Sequence, residues 1–83
     1  MRIVVKLFAS LGELLPPEAE RNQIEMEFPA GTTPADVIAL LKVPPKMAHL
    51  VILNGVFVPP SERATRELVD REELAIFPPV AGG

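Results

Sequence analysis

The chain has 83 residues, with eight Lys and Arg against eleven Asp and Glu, for a net charge of −3. That length is one domain, and 48% hydrophobic residues argue against intrinsic disorder. The acidic balance disfavours nucleic acid as the main partner, because phosphate binding rests on clustered Lys and Arg.

There is no cysteine, which excludes a disulfide framework, a thiolate nucleophile and a Cys-ligated metal. A single histidine, His49, leaves almost no material for a metal site. No apolar run approaches the ~18 residues that span a membrane, and no basic-then-apolar leader opens the chain. The expectation is a soluble, cytoplasmic protein with neither a membrane nor a nucleic acid as partner.

Arg2 to Phe8 is β-rich and places Ile3, Val5 and Leu7 on one face, with Val4, Lys6 and Phe8 on the other. Leu11, Leu14 and Leu15 then recur at helical spacing, which predicts a short helical turn stopped by Pro16-Pro17. From Gln23 to Phe28, Ile24, Met26 and Phe28 alternate with polar residues. This is the pattern of a half-buried strand, antiparallel to the first by its short connection.

Pro29 to Thr32 reads as a turn and Thr33-Pro34-Ala35-Asp36 as a helix start, with Thr33 as N-cap and Asp36 closing a capping box. A helix of about nine residues should follow, with Val37, Leu40 and Leu41 inward, Ile38 beside them, and Pro44-Pro45 as the stop. Leu50 to Leu53, Asn54-Gly55 and Val56 to Val58 read as strand, tight turn and strand. Ser61 to Asp70 is polar and irregular, and Glu73 to Phe77 is a last strand with Leu74 and Ile76 inward. Pro78-Pro79 cannot extend it, because neither residue donates to a ladder. The prediction is an α+β fold, one mixed sheet with a single main helix in its concavity. The domain is residues 1–77 and the tail residues 78–83.

An independent active site is hard to assemble from these residues. Ser10, Thr32, Thr33, Ser61 and Thr65 have no base in any recognisable motif, and there is no glycine-rich phosphate loop or metal-ligand spacing. His49 reads as a surface or strand-start histidine, and Glu25 and Glu27 as a solvated strand face.

The distinctive feature is the ending Phe77-Pro78-Pro79-Val80-Ala81-Gly82-Gly83. A stiff Pro-Pro step favours an extended course, and six such residues reach about 20 Å. The side chains taper to none, so a partner can approach Gly82 and Gly83 closely. The terminal carboxylate is ionised at neutral pH and resists nucleophiles until it is activated. The activating enzyme must be another protein, which makes this chain a substrate and carrier.

These residues resemble the ubiquitin-like β-grasp sulfur carriers of the MoaD/ThiS family. The terminal run, together with Leu7-Phe8-Ala9 and Glu13-Leu14, looks closest to the small, non-catalytic subunit of molybdopterin synthase. Val51-Ile52-Leu53-Asn54-Gly55 followed by Val58-Pro59 also looks like the thiamine-pathway carrier. The resemblance implies that an E1-like (MoeB/ThiF-like) enzyme uses ATP to adenylate Gly83, which becomes a thiocarboxylate. The tail then enters a MoaE-like large subunit and gives its sulfur to a pterin precursor. Gly82, Ala81, Pro78 and Pro79 would position the tail, and no cofactor would be bound by the chain itself. Three alternatives stay open: delivery to thiamine thiazole or another sulfur pathway, a ubiquitin-like modifier joined to lysines, and a plain β-grasp interaction module whose terminus is inert.

One departure stands out. Such carriers have Asp-Gly-Asp before the last strand, whereas this chain has Asp70-Arg71-Glu72, which puts a turn needing φ > 0 in doubt. Finally, Phe8, Phe57 and Phe77 fall opposite the inward residues of their strands. They form either a second small core under a loop or an exposed, partner-binding apolar patch.

Overall fold

A computed structural model describes residues 1–80 of the chain. Strand β1 (Arg2–Leu7) alternates as its sequence requires, with Ile3, Val5 and Leu7 fully buried. A 3₁₀ turn, Ala9–Leu14, follows and buries Leu11. Strand β2 (Gln23–Glu27) runs antiparallel to β1, with Ile3 opposite Met26 and Val5 opposite Ile24.

Helix α1 (Pro34–Leu40) starts on the expected capping box. The Thr33 hydroxyl accepts from the Asp36 N–H at 3.3 Å, and the Asp36 carboxylate accepts from the Thr33 N–H at 2.9 Å. The helix has seven residues rather than nine, and its end lies before the proline pair. Lys42 takes φ +59°, its N–H donates to Ala39, and the Val43 N–H donates to Ile38. That is a Schellman ending with lysine where glycine is usual, and it buries Val43 as its apolar contact.

The expected inward stripe also needs correction, because Leu40 is 60% exposed. Pro34, Val37, Leu41 and Ile38 fill one arc of the helix, and at 3.6 residues per turn Leu40 falls about 100° from its centre.

Strands β3 (Leu50–Leu53) and β4 (Val56–Phe57) form the expected hairpin. Asn54 and Gly55 both have positive φ, +50° and +81°, as a type I′ turn demands. Strand β5 (Glu73–Phe77) closes the fold. Among the described residues the strands form one five-stranded sheet in the order β2-β1-β5-β3-β4. The central pair, β1 and β5, is parallel, and the other pairings are antiparallel. Val37 and Leu41 of the helix join Ile3, Val5, Leu7, Val51, Leu53, Leu74 and Ile76 of the sheet in one core.

The Asp70–Glu72 turn forms without glycine. Arg71 takes φ +72°, and the start of β1 holds the loop in place. The Arg2 N–H donates to Asp70 Oδ1 at 2.7 Å, and the Arg71 N–H donates to the Arg2 carbonyl at 2.7 Å. The buried Glu72 carboxylate caps the Val69 N–H at 2.7 Å.

Candidate functional site

The parallel pairing of β1 with β5 decides where the tail leaves the domain. Leu7 lies opposite Ile76, and the Phe8 N–H donates to the Ile76 carbonyl at 3.1 Å. Both strands therefore finish at one edge of the sheet. The last ladder bond there runs from the His49 N–H to the Phe77 carbonyl, 3.1 Å. Pro78 and Pro79 follow with no N–H to offer, so pairing stops and the chain departs. Pro78 is half-buried, while Pro79 and Val80 are exposed. Phe8, Met47, Phe77 and Pro78 to Val80 line a shallow depression around this departure point. Ala81, Gly82 and Gly83, the other expected site residues, lie outside the described residues.

Alternation along the strands sets the outer face of the sheet, the one turned away from α1. One row across the strands is Phe8, Phe77 and Leu50; the next is Lys6, Ala75, Ile52 and Phe57. All three expected phenylalanines lie on this face. Phe8 and Phe77 meet as a parallel stack with ring centroids 4.1 Å apart. Phe57 stands apart from them on β4 and is 49% exposed. The three do not make a covered second core: two shield each other and the third faces solvent.

Leu50, Ile52 and Ala75 complete the patch. The same alternation that buries Val51, Leu53, Leu74 and Ile76 on the inner face puts these three on the outer one.

Arg63 is a residue that sequence reasoning passed over. Its guanidinium donates to the Ala48 carbonyl at 2.7 Å and to the His49 carbonyl at 3.1 Å. Its own carbonyl accepts from the Ala35 N–H at the start of α1. Burial lowers its pKa below the ordinary arginine value, without threatening its charge at neutral pH. Arg63 thus braces the backbone that bonds Phe77, and nothing in its local sequence signals this.

The remaining candidates keep their ordinary roles. His49 is exposed and contributes its backbone. Glu25 and Glu27 are exposed and face Arg2 at 3.4 and 3.1 Å. The Glu27 hydrogen bond, with Glu25 beside it, raises the Arg2 pKa further. A second depression, lined in part by these three residues, lies at the start of β1, the end of the sheet away from the tail. Among the described residues no group of His, Asp and Glu side chains is placed to hold a metal ion. No helix among them is long and apolar enough to cross a membrane.

Comparison with known proteins agrees with this geometry. SAMP1 from Haloferax volcanii superimposes with a TM-score of 0.67 at 25% identity, over 100% of both chains. A putative molybdopterin converting factor, subunit 1, from Pyrococcus furiosus gives 0.67 at 26% identity, over 95% of this chain and 98% of that one. A complex of subunits 1 and 2 of molybdopterin-converting factor from Helicobacter pylori contains a chain that shares the fold, with a TM-score of 0.59 at 16% identity over 100% of both. A search of curated proteins found no match. The fold is therefore the ubiquitin-like β-grasp of the sulfur carriers. The ThiS family model matches residues 5–83, from the first strand through the Gly-Gly end, and the chain belongs to the ThiS family.

Proposed function

We propose that the chain is a sulfur carrier whose working group is the Gly83 carboxylate, and that it serves molybdopterin synthesis. A carboxylate oxygen attacks the α-phosphorus of ATP on an E1-like adenylating enzyme, and pyrophosphate leaves. A sulfur donor then displaces AMP from the acyl-adenylate, giving a thiocarboxylate. Inside a MoaE-like large subunit the sulfur passes to a pterin precursor as the C–S bond of the thiocarboxylate breaks, and water supplies the oxygen that restores the carboxylate.

The carrying observation is the placement of Phe77, which packs on the outer face one residue before the Pro78-Pro79 step. A partner covering the face meets the root of the tail at the same edge. Two structural neighbours bear molybdopterin converting factor names, and one of those is a complex of subunits 1 and 2, which supports the choice of pathway and of a MoaE-like partner.

The test is intact mass after incubation with the adenylating enzyme, ATP and a sulfur donor. A fraction heavier by one sulfur-for-oxygen exchange is expected, and it should vanish when Gly83 is deleted. An unchanged mass with an active enzyme overturns the reading.

The ThiS family match, with the Val51 to Gly55 run, favours a second reading within the same chemistry, delivery to thiamine thiazole. Co-purification separates them: a large synthase subunit supports the first, a thiazole synthase the second. A ladder of heavier conjugates would instead mark a protein modifier.

A further inference from the structure

The two margins of the sheet are built differently. At one, β4 has two residues, the Val58 N–H donates to the Val51 carbonyl, and Pro59-Pro60 follow, so little main chain is left to pair. At the other, β2 has five residues with no proline, glycine or lysine among them, the residues that commonly blunt an edge.

The phase of the β1–β2 ladder shows which groups of β2 are open. The Phe28 N–H donates to the Met1 carbonyl at 2.9 Å, and the Leu7 N–H to the Asn22 carbonyl at 3.0 Å. Every second residue from Asn22 to Phe28 therefore turns its main chain toward β1, and the residues between turn theirs outward. Gln23 is satisfied by Glu20, which exchanges both main-chain bonds with it at 3.0 Å. The Ala19 N–H donates to the Pro16 carbonyl instead, so the preceding segment does not follow β2 further. Among the described residues the main-chain N–H and C=O groups of Glu25 and Glu27 have no partner.

The two sides of this edge differ in chemistry. Toward the core, Ile24 and Met26 are only partly buried. On the outer side stand the Glu25 and Glu27 carboxylates, each with one oxygen near Arg2, at 3.4 and 3.1 Å. One guanidinium cannot neutralise two carboxylates, and Glu20 adds a third acid at the near end. The surroundings repeat the imbalance. Residues 11–30 carry five glutamates and one arginine, whereas the rest of the chain carries six acids and seven bases. The net negative charge of the protein is concentrated in β2 and the segment that leads into it.

We propose that the β2 edge accepts an extended segment of a partner protein as a sixth strand, one in which lysine or arginine alternates with apolar residues. Directly opposite residues share a face of a sheet. Those opposite Glu25 and Glu27 thus meet carboxylates, and the one opposite Met26 lies along the partly covered apolar margin. Main-chain bonds supply affinity and the alternate side chains supply selectivity. A second copy is a poor occupant, because pairing β2 with β2 sets glutamate against glutamate. β1 separates β2 from β5, the strand that carries the tail, so this site does not rest on the carrier chemistry and stays open while the tail is engaged.

The test titrates the chain with an eight-residue peptide, blocked at both ends, that alternates lysine and valine. A peptide alternating glutamate and valine is the control. The lysine peptide should bind, and the amide exchange of Glu25 and Glu27 should slow at least tenfold at saturation; the control should do neither. Salt should weaken the binding. Glu25→Gln with Glu27→Gln should raise the Kd of the lysine peptide about tenfold. Glu25→Pro removes an outward donor but no β1–β2 bond, and it should abolish binding; the glutamine variant serves if the proline variant does not fold. Binding without protection of these two amides overturns the added strand. An unchanged Kd in the glutamine variant overturns the selection for cations. Failure of the lysine peptide to bind means that the glutamates only guard the edge, and protection of the same amides in a peptide-free dimer makes a second copy the occupant; either result overturns the proposal.

Discussion

Phe8 and Phe77 stand face to face, their ring centroids 4.1 Å apart and their planes 7° from parallel. The parallel register of β1 and β5 puts them there, since Leu7 and Ile76 are paired one step before. The stack is half-buried and forms one wall of the depression where the tail leaves. It links fold to function directly, because the residue that ends the central strand is also the last one before the prolines.

That arrangement separates the phenylalanines in a mutational test. Phe57 is half exposed on a two-residue edge strand, so Phe57→Asp should leave thermal stability nearly unchanged. Phe8→Asp loses a stacked pair worth about 0.5–1.5 kcal/mol, so its midpoint should fall by several degrees. Both should weaken partner binding; Phe57 is 49% exposed in the free chain, so covering the rest of the ring, and hence losing it in Phe57→Asp, is worth about 1 kcal/mol, roughly half the value for a fully exposed phenylalanine. Thermal melts alongside pull-down with the large subunit check this, and undiminished capture of Phe57→Asp would remove the ring from the interface.

The positive-φ positions give a second prediction, of opposite sign at two sites. Arg71 holds φ +72°, where a non-glycine residue is strained by about 1–2 kcal/mol. Its ion pair with Asp70, 3.7 Å long with Arg71 89% exposed, offsets little of this. Arg71→Gly should therefore stabilise the chain, by less than the full strain because glycine also gains freedom when unfolded. Asn54 also has positive φ, but its side chain accepts the Glu73 N–H. Asn54→Ala should cost about 2 kcal/mol by losing that bond and straining the turn, and Asn54→Gly less. Urea unfolding measures both; a destabilised Arg71→Gly would show that the arginine has a structural role.

Much of this fold was legible because local signals agreed with one another. Thr33-Pro34-x-Asp36 and Asn54-Gly55 each specify a backbone geometry chemically, and both formed as expected. The alternation of Ile3, Val5 and Leu7 against Val4, Lys6 and Phe8 assigned both faces of the sheet. The misses lie where geometry comes from elsewhere in the chain. Lys42 closes the helix in a conformation that glycine usually marks, so the prolines drew the boundary too late. Arg71 adopts a glycine-like φ because β1 supplies hydrogen bonds through Asp70 and the Arg2 carbonyl. The outer patch extends beyond the three phenylalanines, because the same alternation places Leu50 and Ile52 on that face.

A third prediction concerns the only α-helix among the described residues. Seven residues are too few to hold a helix by propensity, so its ends and its packing must do so. Thr33→Ala removes the hydroxyl that accepts from Asp36 and should cost about 1 kcal/mol, whereas Thr33→Ser should be nearly neutral. The change should appear in the urea midpoint with an unchanged slope. Equal stability of the alanine variant would mean that burial of Pro34 and Val37 alone fixes the helix start.

The last prediction follows from Arg63. Its two terminal nitrogens reach the carbonyls of Ala48 and His49, and the His49 N–H in turn holds the Phe77 carbonyl. Lysine carries a single point charge and cannot reproduce a fork that spans two adjacent carbonyls. Arg63→Lys should thus cost about 1–2 kcal/mol, and the loss should be local. The His49 amide should exchange with solvent faster, while amides at the centre of the sheet slow or quicken only with global stability. The Nε of Arg63 is buried without a partner among the described residues, so the native arrangement already tolerates one unmet donor to keep the other two bonds. Arg63→Met would relieve that donor and lose both bonds, and its His49 exchange should exceed that of Arg63→Lys. Equal His49 protection in all three proteins would show that the Phe77 carbonyl is held without help from the arginine, and that the tail root depends on the strand ladder alone.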